Sequence, residues 1–102
     1  MRSVNKLLDT LFNATNDVWR DDAAEELGDC SDLIAAQEAL FFAIESGQLD
    51  NSLRRTCAES LAKVWISRGY VKREELQRLK ESERFIAEAF LRAANLLPAI
   101  NN

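Results

Sequence analysis

Trp19-Arg20-Asp21-Asp22-Ala23-Ala24-Glu25-Glu26-Leu27-Gly28 and Leu53-Arg54-Arg55-Thr56-Cys57-Ala58-Glu59-Ser60-Leu61-Ala62 read alike position by position. Each runs apolar, Arg, two variable positions, two small residues, Glu, polar, Leu, small. The arginines stand 34 residues apart, and a weaker third copy, Arg84 with Ala87 and Leu91, follows 30 residues after Arg54. A period of about 30–47 residues with two helices per unit is the mark of a helical solenoid. The small pairs at 23–24 and 57–58 let a helix approach its neighbour closely, and the Leu that follows fills the space between stacked pairs. The Arg of each copy is placed to reach a polar residue of the neighbouring unit. Asn16 and Asp50, four residues ahead of Arg20 and Arg54, are natural N-caps, whereas Lys80 holds that place before Arg84.

Outward from these copies, the pattern is helix after helix. Val4, Leu7, Leu8, Leu11 and Phe12 make an amphipathic stripe, and the cap-rich run 13–17 ends it. A second helix spans about 17–27 with Trp19, Ala23, Ala24 and Leu27 inward, and Gly28 suits a left-handed C′ position. Ser31 caps a third helix whose inner side is Leu33, Ala36, Leu40, Phe41 and Ile44, ended by Gly47. Asp50 or Asn51 caps a fourth, with Leu53, Cys57, Leu61, Val64 and Trp65 inward and Gly69 at its end. A shorter fifth helix, about 72–80, carries Leu76 and Leu79 among charges and fits a terminal cap. The sixth starts near Ser82, uses Phe85, Ile86, Ala89, Phe90 and Leu97, and stops at Pro98. No segment alternates long enough to be a strand, so the expected class is all-α. Both tryptophans are expected in the core; an exposed one becomes an interface anchor.

The chain has 102 residues, one domain's worth, and 47% apolar with 29% charged residues is a soluble globular balance. Three Gly and one Pro argue against a turn-rich β fold. With no histidine, His acid–base chemistry, Ser-His and Cys-His pairs and His-containing metal sites are excluded. No phosphate loop, GxSxG or CxxC occurs. Cys30 and Cys57 read as reduced thiols, and a disulfide between them is open on sequence alone. Asp9 and Asn13 interrupt the first apolar stretch, so neither a signal peptide nor a membrane span is expected and the location expected is cytoplasmic.

The run 20–28, its echo at 54–62, and Asp32-Leu33-Ile34-Ala35-Ala36-Gln37-Glu38-Ala39-Leu40 together resemble the HEAT-repeat family, in its short bacterial form. The resemblance is best over about 17–67. It implies a right-handed helical-hairpin solenoid of three antiparallel pairs, about 1–28, 31–67 and 71–97, acting as a binding platform with the second helix of each pair on the concave face. The outward residues would then be Asp21, Asp22 and Glu25, followed by Arg55, Thr56, Glu59 and Lys63.

Charge points the same way. Eleven acids against three bases leave residues 1–50 at −8, and ten bases against six acids leave the rest at +4, together the chain's −4. The acids are densest from Asp17 to Asp32, including Asp21, Asp22, Glu25 and Asp29. Such a field repels nucleic acid and attracts a basic partner. Asp21 with Glu25, and Asp22 with Glu26 and Asp29, share helix faces, but without loop carbonyls they are poor metal cages. Neither catalytic residue, metal nor cofactor is expected. The stretch 16–69, with its Leu-Ala-Lys-Val-Trp-Ile-Ser-Arg-Gly ending, resembles small immunity proteins of bacterial toxin systems. That likeness implies a monomer, or a 1:1 complex with a cognate toxin domain of nuclease type, bound through Asp17, Asp21, Asp22, Glu25, Asp29, Asp32, Arg55, Glu59 and Lys63. A generic adaptor is the alternative. A nucleic-acid module using Arg54, Arg55, Lys63, Arg68, Lys72 and Arg73 is a third reading, against a sequence pI near 4.8.

Overall fold

The computed structural model describes residues 2–97. They form α1 (Val4–Asn13), α2 (Asp17–Leu27), α3 (Leu33–Glu45), α4 (Asn51–Arg68), α5 (Arg73–Gln77) and α6 (Glu81–Ala93), with no strand among them. The all-α expectation holds. No helix among the described residues is long and apolar enough to cross a membrane.

The starts follow from cap chemistry. Ser3, Asn16, Asp32 and Asp50 each accept a backbone N–H of the first turn, opening α1, α2, α3 and α4. Asp32, not Ser31, is the N-cap of α3. A carboxylate there also meets the positive end of the helix dipole, which a hydroxyl does not. Gly69, at φ 94°, ends α4 in the left-handed region. α6 ends in a Schellman motif with Asn95 left-handed at φ 61°, Leu96 N–H on Leu91 C=O at 2.9 Å and Asn95 N–H on Arg92 C=O at 3.0 Å. Pro98, expected to stop this helix, lies outside the described residues. α5 is shorter than expected, although Leu76 and Leu79 are both buried.

α4 is the centre of the packing. It touches α2, α3 and α6, while α1 touches α2 and α3. Its face of Leu53, Cys57, Leu61, Val64 and Trp65 is buried as expected. Trp65 stacks obliquely on Phe41, its ring centroid 6.1 Å away, and its indole N–H donates to Gln37 at 2.7 Å. α2 meets α4 through small residues: Thr56 Oγ1 donates to Asp21 at 2.7 Å and Ser60 Oγ to the Ala24 carbonyl at 2.6 Å. Residue numbers rise together along this contact, so the two helices run in the same direction.

Four residues expected inward, and one expected backbone conformation, are different in the structure. Trp19 is 61% exposed, although Leu53, its counterpart in the second copy, is buried. α4 packs against α2, α3 and α6, whereas α2 packs against α1, α4 and, more lightly, α3, and at its first turn Trp19 is left open to solvent. On α6 the buried residues are Glu83, Ala87 and Leu91, while Phe85 is 73% exposed and Ala89 and Phe90 also face solvent. Ala87 brings α6 close to α4, and that contact, not the aromatics, sets the register. Gly28 is not left-handed but helical at φ −71°.

The paired arginines also reach elsewhere than expected. Arg20 Nε donates to the Leu11 carbonyl at 2.8 Å, and Arg54 to the Leu49 carbonyl at 2.6 Å and to Asn51. Each ties the start of its helix back to the segment just before it. A guanidinium is well suited to this because it satisfies C=O groups left over where a helix ends.

Candidate protein-binding surface

Residues 18, 22, 25 and 29 follow one another at helical spacing, and Val18, Asp22, Glu25 and Asp29 are all exposed. Trp19 stands beside them at the start of the helix, bordering a shallow hollow with Asp9, Thr10 and Asn13 of α1 and its C-cap Ala14. Asn16 holds this end rigid by accepting from both Val18 N–H and Trp19 N–H. The solvent side of α2 is therefore apolar at its start and acidic along the rest.

The acids divide by what they touch. Asp17 lies 3.8 Å from Arg20, and Glu26 is paired with Arg2 at 2.5 Å. Asp32 is committed to its cap. Asp21 is half-buried against α4 through Thr56, so neither it nor Thr56 is the outward group expected; both belong to the contact between helices. Asp22, Glu25 and Asp29 have no ion-pair partner among the described residues. On α4, Arg55 is exposed and Glu59 and Lys63 are half-buried.

The basic half is more self-satisfied than its sequence reads. Arg68 donates to Glu75 at 2.5 and 3.0 Å, to Gln37 at 3.1 Å and to the Tyr70 carbonyl, and its guanidinium lies 4.0 Å from the Tyr70 ring. Burial opposes the Glu75 charge, yet the Arg68 and Lys72 N–H donors overcome it and hold the carboxyl below the ordinary range. Arg54 is turned to backbone. The expected cluster of six cations is thus broken up, with Arg68 and Arg54 engaged inside the fold.

Both cysteines are free and buried. Burial, with Asp21 nearby, pushes the Cys57 thiol up to about 12. Burial and the carboxylates of Glu26, Asp29 and Asp32 raise Cys30 as well. Neither is poised as a thiolate. Among the described residues no group of three or more His, Cys, Asp or Glu side chains is placed to hold a metal ion.

Comparison with protein-family models, with curated proteins and with solved structures finds no match.

The exposed side chains assigned inward on helical spacing alone are Trp19, Phe85, Ala89 and Phe90. Phe42, which sequence reading left unassigned, is also exposed. A signal existed for Phe42. α3 reads Leu33-Ile34-Ala35-Ala36-Gln37-Glu38-Ala39-Leu40-Phe41-Phe42-Ala43-Ile44, more apolar than one buried face requires.

Proposed function

We propose that this chain is a non-catalytic, HEAT-like helical-repeat protein that binds and neutralises a basic toxin domain of nuclease type, as an immunity protein does. The observation that carries this is the α2 surface: exposed Trp19 and Val18 beside Asp22, Glu25 and Asp29, three carboxylates without ion-pair partners among the described residues. Tryptophan is enriched at binding hot spots, and unpaired carboxylates steer a basic partner into place. Arg55, Glu59 and Lys63 on the adjacent α4 extend the surface. The repeat reading is supported by the α2–α4 hydrogen bonds, which join residues 35 and 36 apart, close to the 34-residue offset of the sequence copies.

Affinity capture of the tagged chain from its own cells, with mass spectrometry of the eluate, tests the proposal. The expected result is one stoichiometric basic partner, toxic when expressed alone and harmless beside this chain. Asp22→Lys with Glu25→Lys then abolishes protection while the circular dichroism spectrum is unchanged. Protection equal to the parent removes the acidic surface as the site. A scatter of weak partners favours the adaptor reading instead.

A further inference from the structure

A second surface lies between α1 and α3. An open groove of about 900 Å³ runs there, bounded by Val4 and Leu8 on one side and by Ala35, Ala39 and Phe42 on the other. Ala35 and Ala39 are one turn apart, so the floor is low, and Phe42 rises at its end, 59% exposed. Phe12 meets Phe42 edge-on, ring centroids 5.8 Å apart, and holds it in place. Ile34, one turn before Glu38 and 78% exposed, continues the apolar surface along α3. α1 and α3 have ten and thirteen residues, lengths of about 15 and 20 Å, enough to cradle about three helical turns.

The rim decides the charge of the occupant. Its two cations are already neutralised, Arg2 by Glu26 at 2.5 Å and Arg78 by Glu45 at 2.7 Å. Glu38, within electrostatic reach of Arg78, and Asp32, whose Oδ1 caps α3 while its charge remains, form no ion pair of their own among the described residues, so the excess charge of the rim is negative.

We propose that the α1–α3 groove takes an amphipathic helix of a partner protein, apolar on its inner face and Lys- or Arg-rich along its edges. Small residues in the floor admit a helix, Phe42 and Leu8 supply apolar contact, and Glu38 and Asp32 select basic flanks. The groove is lined from α1 and α3, not α2, so it stands whether or not α2 binds a toxin.

The test is a display selection of a helical-peptide library on the full chain, followed by fluorescence anisotropy of the enriched peptides and sedimentation of the chain alone. Enriched peptides are expected to carry apolar residues at i, i+3 or i+4 and i+7 with a net positive charge. Their affinity should fall about tenfold or more in Phe42→Glu and severalfold in Glu38→Lys, both exposed sites, and be unchanged in Asp22→Lys with Glu25→Lys. No enrichment, acidic or extended peptides, or binding indifferent to both groove variants overturns the proposal. So does a dimer of the free chain that Phe42→Glu dissociates, which assigns the groove to a second copy. Loss of toxin protection in the α2 variant with peptide binding intact separates this site from the α2 surface.

Discussion

A Cβ on Gly28 would stand 3.0 Å from both Cα and Cβ of Ser60. Gly28 is required by proximity, not by backbone conformation: at φ −71° any residue could adopt its geometry. One turn back, Ser60 Oγ donates to the Ala24 carbonyl across the same contact. The two facts together fix how near α2 and α4 come.

Gly28→Ala should therefore destabilise the fold by about 1–3 kcal/mol, because the backbone of α4 must move away. Without that neighbour the same change in a helical conformation would stabilise by about 0.4–1 kcal/mol. Gly69→Ala meets no atom within 4 Å but sits at φ 94°, and should cost about 1–2 kcal/mol from strain alone. Urea unfolding of both variants separates the two causes: Ser60→Gly relieves part of the first loss and none of the second.

Leu27→Ala and Leu61→Ala should each cost about 2–5 kcal/mol, since both leucines are fully buried. Phe85→Ala, on an exposed aromatic, should cost less than about 0.5 kcal/mol. A loss of several kcal/mol at Phe85 in chemical denaturation would mean that the register of α6 against α4 is different.

The Arg68–Glu75 pair sets an acid dependence. Glu75 has its folded pKa below the unfolded value, so its stabilisation is present above the ordinary glutamate range near pH 4.3 and is lost as pH falls through the depressed folded value. Glu75→Gln should destabilise by about 1–2 kcal/mol at pH 7, with the difference from the parent vanishing in strongly acidic solution. Thermal melts of both chains across the acid range measure this.

Cys57, with its thiol pushed up to about 12, should resist a thiol reagent at pH 8 in the native chain. Its labelling then reports opening of the α2–α4 contact, and Gly28→Ala should speed it. Labelling of native Cys57 at the rate of a free thiol would contradict its burial.

The helices and most of their ends were legible in the sequence, because apolar spacing and cap chemistry are local. Asn16, Asp50 and Gly69 act within one turn of where they stand, and they act as expected. The buried faces of α1 and α4 followed from spacing too, down to Trp65. The site was legible only in part. Asp22 and Glu25 are outward as the repeat implied, and Asp29 of the acidic stretch is exposed too, whereas Asp21 turns to Thr56 across the helix contact.

That this chain is helical, where most of its helices begin, and that its first half is acidic follow from the order of residues. These depend on hydrogen bonds and charges a few residues apart. Tertiary structure alone decided that Trp19 is bare while its counterpart Leu53 is buried, that Ala87 rather than Phe85 meets α4, and that Gly28 serves an approach rather than a turn. Each of those depends on whether another helix lies over the residue, and matching positions in the two sequence copies differ there because α4 packs against α2, α3 and α6 whereas α2 packs against α1, α3 and α4.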